Sequence, residues 1–210
     1  MRLYQSANFA DRLIILARLI FSASPIIDIL EQYLPKDGLI VDLGCGYGVI
    51  SHLLSFSYPQ RKIIGFDVSQ TRIESAKKSI SNNIQFQLAD IRDAQIPACD
   101  AVIIIDILYL LPYQDQEKVL IKCFEKLNQN GILIIKDTDK SAIWKFRYTY
   151  IEEKIKIKLS LYGKEVKKSS LYYQTSEDFI ILLKRIGFDV STIHKKQILY
   201  PGIFYICQKT

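Results

Sequence analysis

The stretch VDLGCGYG, Val41 to Gly48, constrains this chain more than any other: a short apolar run meets an acid and then three glycines on alternate residues, Gly44, Gly46 and Gly48. Val41-Asp42-Leu43 reads as a buried strand that ends in a tight turn. Glycines there allow positive φ and let main-chain N–H groups come close to a ligand that a Cβ would hold off. Val49 to Leu54 has helical spacing, so the loop joins the C-terminus of a strand to the N-terminus of a helix, a place where open α/β sheets bind ligands.

The glycine spacing narrows the ligand. A dinucleotide loop uses G-x-G-x-x-G to set a pyrophosphate on a helix dipole. This chain has G-x-G-x-G behind Asp42, a carboxylate that would repel a pyrophosphate. Later acids follow a pattern. Lys62 to Asp67 is a second strand tipped by a carboxylate, about twenty residues past the glycines, the place of a ribose-binding acid. Ile84 to Leu88 alternates apolar and polar residues and leads into Ala89-Asp90-Ile91. Asp100 to Ile105 is a fourth strand, ending at Asp106 and followed by the apolar run Ile107-Leu108-Tyr109-Leu110-Leu111-Pro112. An acid after a single strand is commonly a helix cap or turn former. Four in register behind a matching glycine loop are expected to meet in one ligand crevice.

On these residues, between Leu39 and Lys136, the chain resembles class I S-adenosylmethionine-dependent methyltransferases of the small-molecule type. The resemblance implies an α/β fold, a Rossmann-like doubly wound, mostly parallel seven-stranded sheet in the order 3-2-1-4-5-7-6, with the last strand antiparallel and helices on both faces. It also implies that S-adenosyl-L-methionine is the cofactor and S-adenosyl-L-homocysteine the product. Asp42, Gly44, Cys45, Gly46 and Tyr47 would shape the methionine end, Asp67 and Val68 the ribose, and Asp90 and Ile91 the adenine. Asp106 would stand at the junction of cofactor and acceptor.

The rest of the chain arranges itself around that core as a single domain: a helical cap over 1–36, the cofactor core over 37–136, a basic insertion over 137–170, and a closing helix and hairpin over 171–210. Phe9, Leu13, Leu16, Ala17, Ile20 and Phe21 form one helix face, and a second helical piece runs from Ile26 to Tyr33. The apolar run Leu13 to Phe21, broken by Arg18, is too short for a membrane span. A helix is expected over Gln114 to Leu127 with Asn130-Gly131 as its stop, then a strand over Ile132 to Lys136. Thr175 caps a helix over Ser176 to Arg185 that Gly187 ends, and strands follow over Asp189 to Lys195 and Ile203 to Cys207.

Chemistry on the acceptor side is less determined. Methyl transfer is an in-line displacement, so alignment and desolvation are the main tasks, with a base added where the nucleophile needs one. His52 falls in the first helix after the glycines and His194 in the penultimate strand, neither placed as a base. Where many relatives carry a histidine after the fourth-strand acid, this chain has Tyr109 or Leu110. That leaves an acceptor that ionises unaided, such as a carboxylate, or deprotonation by Tyr109, Asp137 or Asp139. Asp106, Tyr109 and Asp137 are the catalytic candidates, and Trp144, Arg147 and Tyr148 the acceptor-binding ones, Arg147 as a partner for a carboxylate. The Asp106-Ile107-Leu108-Tyr109 sequence lacks the paired prolines of amino-methylating enzymes, and Cys99 is poorly sited for a cytosine-C5 nucleophile.

Charge keeps other readings open. Lys and Arg number 28 against 22 Asp and Glu, giving +6 at pH 7. Much of the excess lies among aromatics in the insertion, a composition that suits a solvated face, anionic lipid at a peripheral membrane contact, or unpaired RNA bases. An RNA methyltransferase and a non-catalytic S-adenosylmethionine-binding module are therefore the alternatives to a small-molecule enzyme. Cys45, Cys99, Cys123 and Cys207 contain no CxxC pair, so neither a metal site nor a disulfide framework is expected, and the cytoplasm is the expected compartment.

Overall fold

The computed structural model describes residues 24–78, 82–138, 171–196 and 201–210. Seven strands form one sheet in the order β3-β2-β1-β4-β5-β7-β6. They are β1 Leu39–Leu43, β2 Lys62–Asp67, β3 Ile84–Leu88, β4 Cys99–Ile105, β5 Leu127–Thr138, β6 Phe188–Lys196 and β7 Pro201–Lys209. The described helices are α1 Ser24–Tyr33, α2 Val49–Ser57, α3 Gln70–Lys77, α4 Tyr113–Lys126 and α5 Ser176–Ile186, with a 3₁₀ turn at Leu108–Leu110. The expected helix over Phe9 to Phe21 and the insertion residues Asp139, Trp144, Arg147 and Tyr148 lie outside the described residues.

The chain divides into two compact units, Met1–Gln95 with Cys99–Val102, and Ile96–Ala98 with Ile103–Thr210. In the first, β1 and β2 pair in parallel from Leu39↔Lys62 to Leu43↔Phe66, and β2 and β3 from Ile63↔Ile84 to Asp67↔Leu88. Parallel strands covered on both sides need near-continuous apolar sequence, and β1 is buried from Ile40 to Leu43. Asp100 fixes the start of β1 by accepting from Leu39 N at 2.8 Å. Arg61, fully buried, joins α1 to the chain entering β2. It donates to both Glu31 carboxylate oxygens at 2.8 and 2.7 Å, to Pro35 O and to Leu54 O, and it lies 4.5 Å from the Tyr58 ring centre.

In the second unit β7 runs antiparallel to both β5 and β6. Here the structure corrects one boundary. Helix α4 ends at Lys126, Leu127 is already extended (φ −67°, ψ 136°), and β5 starts there rather than at Ile132. The left-handed residue is Asn130 (φ 60°), which lies within the strand and does not end the helix. The reason is tertiary: Lys209 Nζ of β7 donates to Phe124 O and Leu127 O at 2.7 and 2.6 Å, satisfying carbonyls that a C-terminal glycine would otherwise have to serve. Helix α5 is set locally. Thr175 Oγ1 accepts from Asp178 N, and Gly187 takes φ 120° after its last residue.

Candidate functional site

The first unit builds a cradle at the C-terminal ends of β1 and β2. Leaving β1, the chain passes Gly44 (φ 79°), Gly46 (φ 57°) and Gly48 (φ 72°), all in the region that L side chains rarely enter. Gly44 N and Cys45 N both donate to Phe66 O, at 2.7 and 2.9 Å, which holds the loop against the C-terminal end of β2. Gly48 N closes the turn on Cys45 O, and His52 N donates to Gly48 O, so α2 starts directly from the loop.

The carboxylates at or after the ends of β1, β2 and β3 are each held. Asp42, buried at the end of β1, accepts from Ser51 Oγ of α2 at 2.5 Å. Asp67 Oδ2 accepts from Gly46 N at 2.9 Å, its Oδ1 accepts from Ser69 N at 2.9 Å, and Arg72 Nη1 stands 4.0 Å from Oδ2. The same guanidinium lies 5.8 Å from the ring centre of Tyr47, and Tyr47 and Val68 are half-buried. Asp90 receives Arg92 N and Nε on Oδ1 and Nη2 on Oδ2, while Ile91 is buried beside it. Asp42, Gly44, Cys45, Gly46, Tyr47 and Asp67 thus lie along one hydrogen-bonded turn, with Asp90 and Ile91 directly after β3.

In this unit Phe86 carries a role that the sequence reading did not assign. A Cβ on Gly48 would stand 2.4 Å from Phe86 Cζ, and one on Gly65 would meet both Phe86 and Cys45 at 2.8 and 2.9 Å. The ring, buried on β3, is the floor on which the glycine loop lies, and Gly48 and Gly65 are required for its close approach. His52 packs 5.5 Å from the same ring. Burial holds its imidazole below the ordinary histidine range, partly offset by a hydrogen bond with the Ala76 backbone. The only signal of Phe86 in the sequence is the inward phase of the alternating strand β3.

In the second unit, Asp106 follows β4 with φ 57°, an uncommon conformation for a non-glycine residue. Its N–H donates to Lys136 O, and Lys136 Nζ contacts both carboxylate oxygens at 2.5 and 2.6 Å. Tyr109 is buried with its ring stacked 4.6 Å from that of Tyr173, and its carbonyl accepts from Tyr172 N. Buried Gln116 donates to Leu111 O and Tyr172 O and accepts from Gln174 Nε2, which fastens residues 172–174 over the start of α4. Asp137, half-buried on β5, accepts from Thr138 N. His194 is exposed on β6.

Comparison with known proteins gives a consistent result. Residues 35–201 match a family model described as a methyltransferase domain. The chain is 30% identical over 114 residues to carboxy-S-adenosyl-L-methionine synthase of Actinobacillus pleuropneumoniae serotype 5b, a match covering 51% of this chain and 47% of that one. The chain therefore spans about half the length of the curated relatives it matches. Its backbone superposes on an O-methyltransferase family protein from Burkholderia thailandensis with a TM-score of 0.72 at 16% identity, covering 100% of this chain and 64% of that one. Magnesium protoporphyrin IX methyltransferase from Synechocystis, solved with bound S-adenosylhomocysteine, gives 0.67 at 18% identity over 100% and 92%. Among the described residues no helix is long and apolar enough to cross a membrane.

Proposed function

We propose, from the premise that this chain belongs to the methyltransferase-domain family, that it transfers the methyl group of S-adenosylmethionine to a small apolar or acyl/carboxylate-type metabolite. When bound, the cofactor supplies a methyl carbon activated by sulfonium, and in-line transfer leaves the electron pair on sulfur. The observation that carries the reading is the glycine turn after β1, whose Gly46 N–H is held by the β2 acid Asp67.

The residues present fit such a ligand. Glycines at positive φ leave backbone polar groups unscreened, and the carboxylates Asp67 and Asp90, each with an arginine nearby, offer acceptor oxygens suited to ribose hydroxyls and amino groups. In this reading Gly44, Cys45, Gly46 and Tyr47 hold the amino-acid end, with Asp42 setting the loop through Ser51. Asp67 and Val68 take the ribose, and Asp90 and Ile91 the adenine. In the second unit, Asp106 and Asp137 are the acids of the acceptor side, and Tyr109, under Tyr173, sets the wall beside them. An apolar acceptor is suggested by Ile107-Leu108-Tyr109-Leu110-Leu111.

Calorimetry with S-adenosylmethionine and S-adenosylhomocysteine tests the pocket, and incubation with methyl-labelled cofactor and fractionated cell extract tests the acceptor. Saturable binding of both ligands, with label entering the small-molecule fraction, supports the proposal. Absence of binding removes the cofactor assignment, and label confined to RNA or protein removes the acceptor class.

A further inference from the structure

The pair at the ends of β4 and β5 is built unevenly. Lys136 follows the buried run Gly131 to Ile135 of β5, two residues before the strand ends, and its side chain is 12% exposed, against 34% for Asp106. The ammonium is therefore the deeper partner, and the carboxylate that neutralises it faces outward from a backbone at φ 57°. Gly202 of β7 borders the ammonium, since a Cβ there would stand in ordinary contact with Lys136, 3.4 Å from Cε and 3.9 Å from Nζ. An ammonium that has lost most of its water must keep an anion, yet the anion here is the more accessible and conformationally costly of the two. Replacing Asp106 by another carboxylate conserves charge, returns Asp106 to water and keeps Lys136 neutralised.

We infer that Lys136 is the recognition group for the carboxylate of an acidic acceptor, with Asp106 as its resident counter-ion. The inference rests on the methyltransferase reading above and narrows its acceptor to carboxylic acids. A pair with a purely structural role would be weakened by any change to either partner. An exchange site responds in opposite directions: losing Lys136 abolishes carboxylate binding, whereas neutralising Asp106 removes a competitor and strengthens it. Asparagine is a suitable replacement because it tolerates the left-handed conformation that position 106 adopts.

The probes are octanoate, benzoate and phenylacetate, each compared with its neutral amide, titrated calorimetrically into wild type, Lys136→Met and Asp106→Asn saturated with S-adenosylhomocysteine. At least one acid is expected to bind wild type about tenfold tighter than its amide, the scale of a hydrogen bond to a charged group. That preference disappears in Lys136→Met, and Asp106→Asn binds the acid about tenfold tighter with its amide unchanged. The assignment is overturned if no acid binds, if acid and amide bind alike, or if Asp106→Asn leaves the acid no tighter. The last comparison stands even where Lys136→Met does not fold. Failure of wild type to bind S-adenosylhomocysteine at all marks failure of the cofactor reading instead.

Discussion

Asp67 clamps the glycine turn and is also the proposed ribose acid, and Asp67→Asn separates the two roles. The carboxylate accepts from Gly46 N on one oxygen and Ser69 N on the other, in a buried position. An amide is the same shape but offers a single acceptor, so one of the two backbone N–H groups must face an NH₂ group. A net hydrogen bond to a charged partner is worth about 1.5–3 kcal/mol. In a chain of this size each kcal/mol moves the melting midpoint by about 2–4 °C, so the ligand-free variant should melt about 3–12 °C lower. If the same acid also receives ribose hydroxyls, S-adenosylhomocysteine should bind about 10- to 150-fold more weakly, from the same bond energy. Differential scanning fluorimetry reads the first effect and calorimetry the second. An unchanged melting point refutes the loop-clamp role, and an affinity within a factor of two of wild type refutes the ribose role; either can fail without the other.

Three further outcomes follow from the packing. Gly48→Ala forces a non-glycine residue to φ 72° and drives a methyl to 2.4 Å from Phe86, so a loss of about 2–5 kcal/mol is expected in chemical denaturation; Phe86→Leu in the same chain should recover part of it. Glu31→Ala leaves the fully buried Arg61 without its carboxylate and should cost about 3–5 kcal/mol, whereas a loss below 1 kcal/mol would show that the three backbone and ring contacts suffice. His52 is held below its unfolded pKa of 6.5, so on acidification through that value the unfolded chain takes up a proton that the folded one refuses. Stability contributed by the neutral imidazole is thus complete above pH 6.5 and declines below it, by at most about 1.4 kcal/mol per pH unit. His52→Gln should flatten that part of the urea-midpoint profile, and an identical slope in the variant would exclude His52 as its source.

What the sequence disclosed follows the range of the forces involved. Strand β3, Ile84–Leu88, is readable to the residue because its alternation is local, and α5 because Thr175 and Gly187 act within a turn of its ends. The glycine turn is legible for the same reason: its unusual torsions are written in residue type. The α4–β5 junction is misplaced because the groups that satisfy the helix end belong to Lys209, more than eighty residues away. Phe86 as loop floor, Lys136 as partner of Asp106, and Gln116 as anchor for Tyr172 and Gln174 share this character. Each is an ordinary residue in its own neighbourhood, made consequential by a segment that arrives from far along the chain. Asp67 shows an intermediate case, where position is visible in sequence and the bond to Gly46 is not.

The fastening of Tyr172 and Gln174 to Gln116 has an evolutionary consequence. Residues 172–174 are secured by side-chain amides rather than by a regular element: Gln116 Nε2 donates to Tyr172 O, and Gln174 Nε2 donates to Gln116 Oε1. Removing that buried amide would leave backbone carbonyls without their donor, a loss of about 1–3 kcal/mol. Descent is therefore expected to hold position 116 as glutamine although it stands outside the glycine turn, while its exposed neighbours on α4 are free to drift.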